Sequence, residues 1–482
     1  MTTMTMASGR LVAVVFSLTP RHTHAPTKVI QIPRQRTLST ASSSNRANVK
    51  QNVTITSENC ERILILGGGI AGLSTARYLL QHTQQQNIRA NITIIDRNID
   101  ILPTANTLPS LYAPHEARLH KNIPSRRNGN VLCPSLTVPW TTRSLWNEAI
   151  LPGLKSIVRS SEPTPPIAFD WPSLMSDKDM WSFGTHFLLQ KYLIGRPEHQ
   201  SNKSILEFSM KCLDDPSDDL VQSIEYGRCA TGTQLGDGTI IAGDSSGDIG
   251  LFCSGLMDRL MNSSFDNGGQ LTMIPGEEAS MLHLNDGVLH GVTTIDQFGE
   301  MRTREADKIV VALGVNSSSV CKGIDVPCPV YPVKGHLATV ASKTDYKYNL
   351  TLEGGIGYAA PMESLDSDGR RLYRLSGFVD FTPNKEVDFH RVNALLGATR
   401  KYLPDAELID ASACHRPISA DDRPLIGPTV KFPNLFLCTG FGSRGWTIGL
   451  GSGKVLASQI LGMPCDIDPA PYLPSRFRWS VM

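Results

Sequence analysis

The sequence predicts an α/β fold in which a domain built on a parallel sheet is joined to a second, mainly antiparallel domain. Three observations predict this fold. Residues 62–80, RILILGGGIAGLSTARYLL, have the pattern of a short buried strand, a glycine turn and a helix. Residues 434–461 have the same order of strand, glycine-rich turn and helix. Residues 328–382 contain successive strand signals separated by turn residues, as expected of an antiparallel sheet.

The first glycine turn has the spacing of a Rossmann-type, dinucleotide-binding unit. Gly67, Gly69 and Gly72 follow the pattern G-x-G-x-x-G. The first glycine permits a tight turn, the second lets the backbone approach a pyrophosphate, and the third lets helix and strand pack closely. The next predicted strand, residues 91–96, ends at Asp96, where a carboxylate can accept hydrogen bonds from ribose hydroxyls. Strand, turn, helix, strand and acidic residue therefore occur in the order found in dinucleotide-binding units.

Charge is distributed unevenly along the 482 residues. The chain has 46 basic and 45 acidic residues, but seven basic residues and no acid precede Glu58, so the remainder carries a net charge of −6. An acidic body argues against a nucleic-acid-binding surface. An acid-free leader rich in Arg and Ser is typical of an organelle transit peptide, so we expect residues 1–57 to target the protein to the mitochondrion or, alternatively, the plastid. A disordered basic tail is the other interpretation.

Residue spacing argues against metal chemistry and against a membrane span. The ten cysteines include no C-x-x-C pair, and the twelve histidines include no H-E-x-x-H pattern, so we expect no metal site. The apolar run in the leader, residues 11–18, is too short to cross a bilayer, and no stretch of 18 uncharged apolar residues occurs elsewhere. We therefore expect no transmembrane segment.

Several segments match those of a known family. They are RILILGGGIAGLSTA, NGNVLCPSLTVPW, DIGLFCSGL, DKIVVALGVNSS, YPVKGHLATV, HRPISADDRPLIGP and NLFLCTGFGSRGWTIGLGSGKVLA. Through them, most of residues 61–476 resembles the FAD-dependent oxidoreductases of the D-amino-acid oxidase type, particularly the small-subunit branch of the D-amino-acid dehydrogenases. The last two segments, in that order near the C-terminus, are the most specific.

The resemblance implies an extended FAD that reaches from one glycine turn to the other. Its nucleotide half is expected at Gly67, Gly69, Ile70, Ala71, Gly72, Asp96 and Arg97, with Gly314 in the turn after residues 307–313. Its flavin ring and linker are expected at Gly440, Gly442, Ser443, Arg444, Gly445, Trp446 and Thr447. Whether the flavin is bound covalently is left open, because Cys414 lies near the position where some relatives attach it.

The same resemblance divides the chain between two domains that it crosses repeatedly. After the leader, the FAD-binding domain is expected to contain residues 58–130, 231–325 and 401–482. The substrate domain is expected to contain residues 131–230 and 326–400.

One arginine is the leading candidate for binding the substrate. Arg416, in HRPI, resembles the family's arginine that fixes the substrate carboxylate, and a planar guanidinium can make two parallel hydrogen bonds to that group. The alternative is a structural ion pair with Asp421 or Asp422. Further catalytic candidates, each with a structural alternative, lie in segments that resemble the sheet over the flavin: Lys334, His336, Tyr358 and Arg374.

The resemblance implies an FAD-dependent oxidoreductase that oxidises the C–N bond of a small amino acid, with a D-amino acid as the leading substrate. The imine would hydrolyse to a 2-oxo acid and ammonia, and oxygen or a quinone-linked acceptor would reoxidise the flavin. Two alternatives stay open. One is a secondary-amine substrate such as sarcosine, dimethylglycine or proline, and the other is a flavoprotein that assists assembly of an organelle respiratory complex without turnover.

Overall fold

The structure is a computed structural model that describes residues 29–31, 60–98, 129–133, 166–189, 207–209, 211–212, 224, 227–264 and 267–480. The α-helices of these residues include α1 (Ile70–Gln85), α2 (Trp171–Ser176), α3 (Lys178–Leu188), α4 (Ile249–Met261), α5 (Ser317–Lys322), α6 (Phe389–Thr399) and α7 (Gly445–Ile460). The strands are β1 (Val29–Gln31), β2 (Glu61–Leu66), β3 (Ala90–Asp96), β4 (Val131–Leu132), β5 (Ile167–Phe169), β6 (Gly232–Gln234), β7 (Ile240–Ala242), β8 (Ser245–Ser246), β9 (Gln270–Pro275), β10 (Glu277–Asn285), β11 (Val288–Asp296), β12 (Met301–Glu305), β13 (Lys308–Val311), β14 (Val330–Ser342), β15 (Asn349–Thr351), β16 (Gly357–Leu365), β17 (Arg371–Phe381), β18 (Glu407–Ser419), β19 (Leu425–Pro428) and β20 (Leu435–Thr439).

A six-stranded sheet forms the centre of the predicted dinucleotide-binding domain. Its strand order is β19-β20-β13-β2-β3-β9, and every neighbouring pair is parallel except β19 with β20. Ile63 and Ile65 of β2 pack on the side of α1 and α7, whereas Leu64 and Leu66 join the core on the opposite face. Burial on both faces explains why the last four residues of β2, 63–66, are all apolar. The predicted Rossmann-type unit is confirmed.

The two long helices of this domain pack closely because glycines lie between them. A Cβ atom at Gly449 of α7 would lie 2.6 Å from the side chain of Ile70, and one at Gly453 would lie 2.5 Å from Ser74 of α1. These distances are shorter than van der Waals contact, so side chains at the two glycines would force the helices apart. The helices that follow the two glycine turns are thereby held side by side.

The second lobe is a mainly antiparallel nine-stranded sheet, as predicted. Its order is β1-β7-β6-β15-β16-β17-β14-β18, with β5 added beside β17. The sheet includes residues 232–242 and 407–419, which the sequence-based boundaries placed in the FAD-binding domain. Strand β18 is paired with β14 along its length, and the chain rejoins the six-stranded sheet only at β19. The antiparallel lobe therefore contains more residues than the sequence-based boundaries assigned to the substrate domain.

The two faces of this sheet have different environments. On one face, Tyr373 and Leu375 of β17 share a core with Val392 and Leu395 of α6. Successive side chains of a strand point to opposite faces, so Arg374 and its alternate neighbours lie on the other face. The sheet thus has one face covered by α6 and a second that carries polar side chains.

Parts of the sequence predictions fall on residues that the structure does not describe. Within the leader, the described strand β1 pairs in parallel with β7. The remainder of residues 1–57 and much of 97–230 lie outside the described residues, so the transit peptide stays a prediction. Among the helices that are described, none combines the length and the apolar character needed to cross a bilayer.

Candidate dinucleotide and substrate site

Three turns meet at one edge of the six-stranded sheet. The parallel register places Leu66 of β2 beside Val311 of β13, and Val311 beside Leu437 of β20, so the three strands end together. The hydroxyl of Thr439 donates a hydrogen bond of 2.9 Å to the carbonyl of Gly314, which joins the second and third turns. The glycine turns that are distant in sequence therefore lie on either side of the turn after β13.

The first of these turns depends on glycine for both its conformation and its packing. Gly67 has φ of 106°, and a Cβ atom there would lie 2.4 Å from the carbonyl oxygen of Ala312. A Cβ atom at Gly72 would lie 1.8 Å from the carbonyl oxygen of Gly67. No L side chain fits at Gly72 unless α1 moves away from β2. The N-terminus of α1, at Ile70 and Ala71, directly follows this turn.

The acidic residue at the end of β3 faces the first turn, as the motif requires. One carboxylate oxygen of Asp96 accepts a hydrogen bond of 2.8 Å from the backbone N–H of Gly68, and the other accepts from the backbone and side chain of Asn98. Arg97 extends instead toward the surface, where its guanidinium lies 3.6 Å from the carboxylate of Glu278. Asp96 is therefore part of the turn, whereas Arg97 is directed to an exposed ion pair.

The glycine-rich turn after β20 joins the two lobes. Gly440 and Gly442 have φ of 78° and 60°, which L side chains rarely adopt. Phe441 between them forms an antiparallel bridge with Ile418, at the end of β18 in the large sheet. Helix α7 begins at Gly445, so its first backbone N–H groups lie beside this turn.

Side chains within the same turn have separate roles. Trp446 is buried in the core beside α1, which leaves its backbone rather than its ring for a ligand. Thr447 is also buried, whereas Ser443 is half-buried. The guanidinium of Arg444 lies 2.9 Å from the carboxylate of Asp422, and both side chains are almost fully buried. Arg444, predicted to bind the cofactor, therefore acts in the structure as a support for the turn.

Replacing Asp422 by asparagine should destabilise the protein by about 3–5 kcal/mol, because Arg444 would stay buried without its counter-charge. Asp325 provides a matched control, since it also has a positive φ and pairs with Lys431 at 3.7 Å, but its side chain is 84% exposed. Asp325→Asn should change the free energy of unfolding by less than about 1 kcal/mol. Denaturant unfolding of both variants measures the difference, and equal losses would contradict a supporting role for the buried pair.

Arg416 reaches across the large sheet from β18 to β17. Its guanidinium donates to the carbonyl of Phe378 at 2.7 Å and contacts the hydroxyl of Ser376 at 3.4 Å. This path crosses β14 at Gly335, where a Cβ atom would lie 2.1 Å from the guanidinium carbon. Burial lowers the pKa of Arg416 from its usual value. Gly335 therefore makes room for Arg416, a role that the sequence analysis missed although PVKGH contains it.

The acids proposed as structural partners for Arg416 have other partners. Asp421 forms two hydrogen bonds with Arg476, of 2.8 and 3.0 Å, and lies 3.4 Å from Arg423. These cations hold the pKa of the Asp421 carboxyl far below its usual range, although burial alone would raise it. Asp422 pairs with Arg444. The structure thus gives no support to the alternative in which Asp421 or Asp422 anchors Arg416.

Tyr358 lies beside the guanidinium of Arg416. Tyr358 of β16 is directly opposite Ser376 of β17, so both side chains share a face of the sheet. Gly129 covers this pair, since a Cβ atom there would lie 2.7 Å from the Tyr358 ring and 3.1 Å from Ser376. Burial raises the pKa of Tyr358, which keeps its hydroxyl protonated and able to donate. Arg416, Tyr358 and Ser376 thus form one polar group.

Lys334 and His336 are placed apart from that group. The ammonium of Lys334 donates to the carbonyl of Glu386 at 3.2 Å, and Nε2 of His336 accepts from the backbone N–H of Asp388 at 3.1 Å. Both partners belong to the segment that leads into α6. Burial, with Lys334 and other nearby cations, lowers the pKa of His336 to about 4, so the ring is neutral at pH 7. The two residues support the α6 side of the sheet, whereas the sequence analysis grouped them with Arg416.

Comparison with known proteins identifies the family. A family model for FAD-dependent oxidoreductases matches residues 255–459. An uncharacterised oxidoreductase of Halorhodospira halophila is 32% identical over 188 residues, which cover 36% of this chain and 80% of that protein. The chain belongs to the FAD-dependent oxidoreductase family.

Other relatives of this FAD-dependent oxidoreductase carry a more specific name. A D-amino acid dehydrogenase of Dechloromonas aromatica is 27% identical over 461 residues, covering 83% of this chain and 97% of that protein. One from Vibrio atlanticus is 30% identical over 247 residues, covering 51% of this chain but only 56% of that protein. The structure of glycine oxidase from Geobacillus kaustophilus has a TM-score of 0.52 at 15% identity, covering 86% of this chain and 99% of that one, which supports the fold.

The first turn of the oxidoreductase fits the nucleotide half of FAD. The glycines let the turn close and α1 pack against β2, so the N-terminus of α1 presents free N–H groups and a positive dipole end at this edge of the sheet, where a pyrophosphate would bind. Asp96 already accepts a hydrogen bond from the turn and keeps further lone pairs for ribose hydroxyls. At the other end, Gly440, Gly442 and the first turn of α7 supply backbone donors beside β18.

Proposed function

We propose that this FAD-dependent oxidoreductase oxidises the Cα–N bond of an amino acid, with D-amino acids as the favoured class. The observation that carries the proposal is the placement of the Arg416 guanidinium beside Tyr358. Arg416 lies on β18, and Ile418 of the same strand forms a bridge with Phe441 in the Gly440–Thr447 turn. The names of the relatives from Dechloromonas aromatica and Vibrio atlanticus agree with this class.

The residues of the chain bind and orient the substrate. Arg416 has five N–H donors, so it can hold a carboxylate while still bonded to the carbonyl of Phe378. The protonated hydroxyl of Tyr358 can donate to the same carboxylate. This anchoring presents the α-carbon at one angle, which is the main requirement of a transfer that depends on alignment.

Bound FAD would supply the redox chemistry by accepting a hydride from the α-carbon. The neutral amine of the substrate would release a proton to water and become an imine, and hydrolysis of the imine would give a 2-oxo acid and ammonia. Backbone N–H groups at the start of α7 can stabilise negative charge on the reduced cofactor. We propose oxygen or a quinone-linked compound as the final electron acceptor.

Anaerobic mixing of the holoenzyme with a substrate panel tests the proposal. The panel contains D-amino acids, their L-enantiomers and N-methyl amines such as sarcosine, and the measurement is loss of the visible flavin absorbance. We expect rapid bleaching by D-amino acids and at least tenfold slower bleaching by the other classes. Faster bleaching by N-methyl amines would replace the proposed substrate class, and no bleaching by any compound would favour a flavoprotein without turnover.

We also propose that the acid-free residues 1–57 form a mitochondrial transit sequence, with the plastid as the alternative destination. The charge and serine bias of this segment supports the proposal. N-terminal sequencing of protein from its native source should find a start between about residues 49 and 61. An intact Met1 would contradict it.

A further inference from the structure

Two buried polar groups face each other beside the proposed substrate site. Arg374 of β17 and Thr339 of β14 are directly opposite in the antiparallel register, so their side chains lie on one face of the sheet. Arg374 is 4% exposed and Thr339 is fully buried. Within the described part of the chain, neither Nε of Arg374 nor Oγ1 of Thr339 has a hydrogen-bond partner.

This pair lies on the same face as the Arg416 guanidinium. Arg374 and Ser376 are two positions apart in β17, which separates their Cα atoms by about 6.7 Å. The hydroxyl of Ser376 is the group that Arg416 contacts. The two guanidinium groups are therefore neighbours on one face of the antiparallel sheet. Arg374 lies farther than Arg416 from the Gly440–Thr447 turn.

A guanidinium buried in this way requires negative charge nearby. Burial lowers the pKa of Arg374 from its usual value, which reflects the cost of keeping the cation there. The carboxylates of Asp248 and Asp410 favour the cation through their charge, without a hydrogen bond to it. An anion with two oxygens could accept from both the guanidinium and the threonine hydroxyl, and it would satisfy groups that the protein leaves unpaired.

We propose that Arg374 and Thr339 bind a second carboxylate, carried by the substrate side chain, so that the enzyme favours acidic amino acids. The inference rests on the proposed function and specifies its substrate class. The α-carboxylate of aspartate or glutamate would bind Arg416, and the side-chain carboxylate would reach Arg374, a few ångströms away on the same face of the sheet. The reaction is unchanged: the substrate loses two electrons to the flavin, and the imine is hydrolysed.

The test compares acidic substrates with their amides, which have the same shape without the charge. The holoenzyme should oxidise D-glutamate or D-aspartate with a kcat/KM at least tenfold above that for the corresponding amide, D-glutamine or D-asparagine. Arg374→Met should lower the preference for the acid over D-alanine, measured as the ratio of their kcat/KM values, by roughly 10- to 100-fold, the range of a lost charge-assisted hydrogen bond. Equal values for acid and amide in the wild-type enzyme would overturn the inference.

A second variant and a binding measurement keep the test decisive. Thr339→Val preserves the shape of the side chain and should lower kcat/KM for the acid by about threefold to tenfold with little effect on D-alanine. Glutarate, which has two carboxylates and no amine, should raise the melting temperature of the wild-type holoenzyme but not that of Arg374→Met. Failure of every amino acid to bleach the flavin would reject the proposed function, whereas bleaching by neutral D-amino acids alone, without stabilisation by glutarate, would reject only the acidic subsite.

Discussion

Replacing Arg416 by leucine should raise the KM for amino acids by roughly 100-fold or more while FAD stays bound. The guanidinium supplies two parallel, charge-assisted hydrogen bonds to a carboxylate, and leucine supplies none. Arg416 lies on β18 and contacts β17 across Gly335, whereas the predicted nucleotide-binding turn lies at the end of β2. Steady-state kinetics with D-amino acids and the visible flavin absorbance of the purified variant measure the two effects separately.

Arg416→Lys is the control for charge. Lysine keeps the positive charge but not the planar pair of donors, so its KM should lie between those of the wild type and the leucine variant. Because leucine also removes the hydrogen bond to the carbonyl of Phe378, the free energy of unfolding must be compared for both variants. An unchanged KM in a folded, yellow leucine variant would dismiss the role of Arg416 in binding substrate.

Local patterns were sufficient to predict the sheet edge at which the cofactor is expected. The G-x-G-x-x-G turn and the glycine turn after β20 each follow a buried strand, and a parallel sheet brings the carboxyl ends of such strands together. The structure confirms this through the register of Leu66, Val311 and Leu437. The prediction succeeded because each unit is encoded within about thirty consecutive residues, so no long-range pairing had to be inferred.

The proposed substrate site around Arg416 and Tyr358 was harder to predict, because strand pairing decides which side chains meet. Lys334 and His336 are close in sequence to Gly335, yet their contacts are with the segment before α6. Arg416 is on the opposite side and reaches β17 only because Gly335 has no side chain. A sequence pattern gives the spacing of these residues along one strand, but the register between β14, β17 and β18 determines which face each one occupies.

Replacing Gly72 by alanine should remove FAD from the protein, with at least a 100-fold loss of affinity or a loss of the folded domain. The added Cβ atom would lie 1.8 Å from the carbonyl oxygen of Gly67 and 3.2 Å from the side chain of Ile65. The first of these contacts is with backbone, which cannot rotate away, so α1 would have to move from β2. Overpacking of this kind typically costs about 1–3 kcal/mol or more.

The consequence for FAD follows from the geometry of the turn. Helix α1 would present its N-terminal N–H groups to the pyrophosphate of bound FAD only while it packs against β2, so a shifted helix would remove donors and dipole together. Gly397 supplies the control because it is an exposed glycine in α6 with no heavy atom within 4 Å of an added Cβ. Gly397→Ala should keep its flavin and gain up to about 1 kcal/mol of stability from helix propensity. The ratio of flavin to protein absorbance in the two purified variants measures how much FAD each one retains. A yellow, stable Gly72→Ala variant would show that FAD binding does not depend on the close contact between α1 and the first turn.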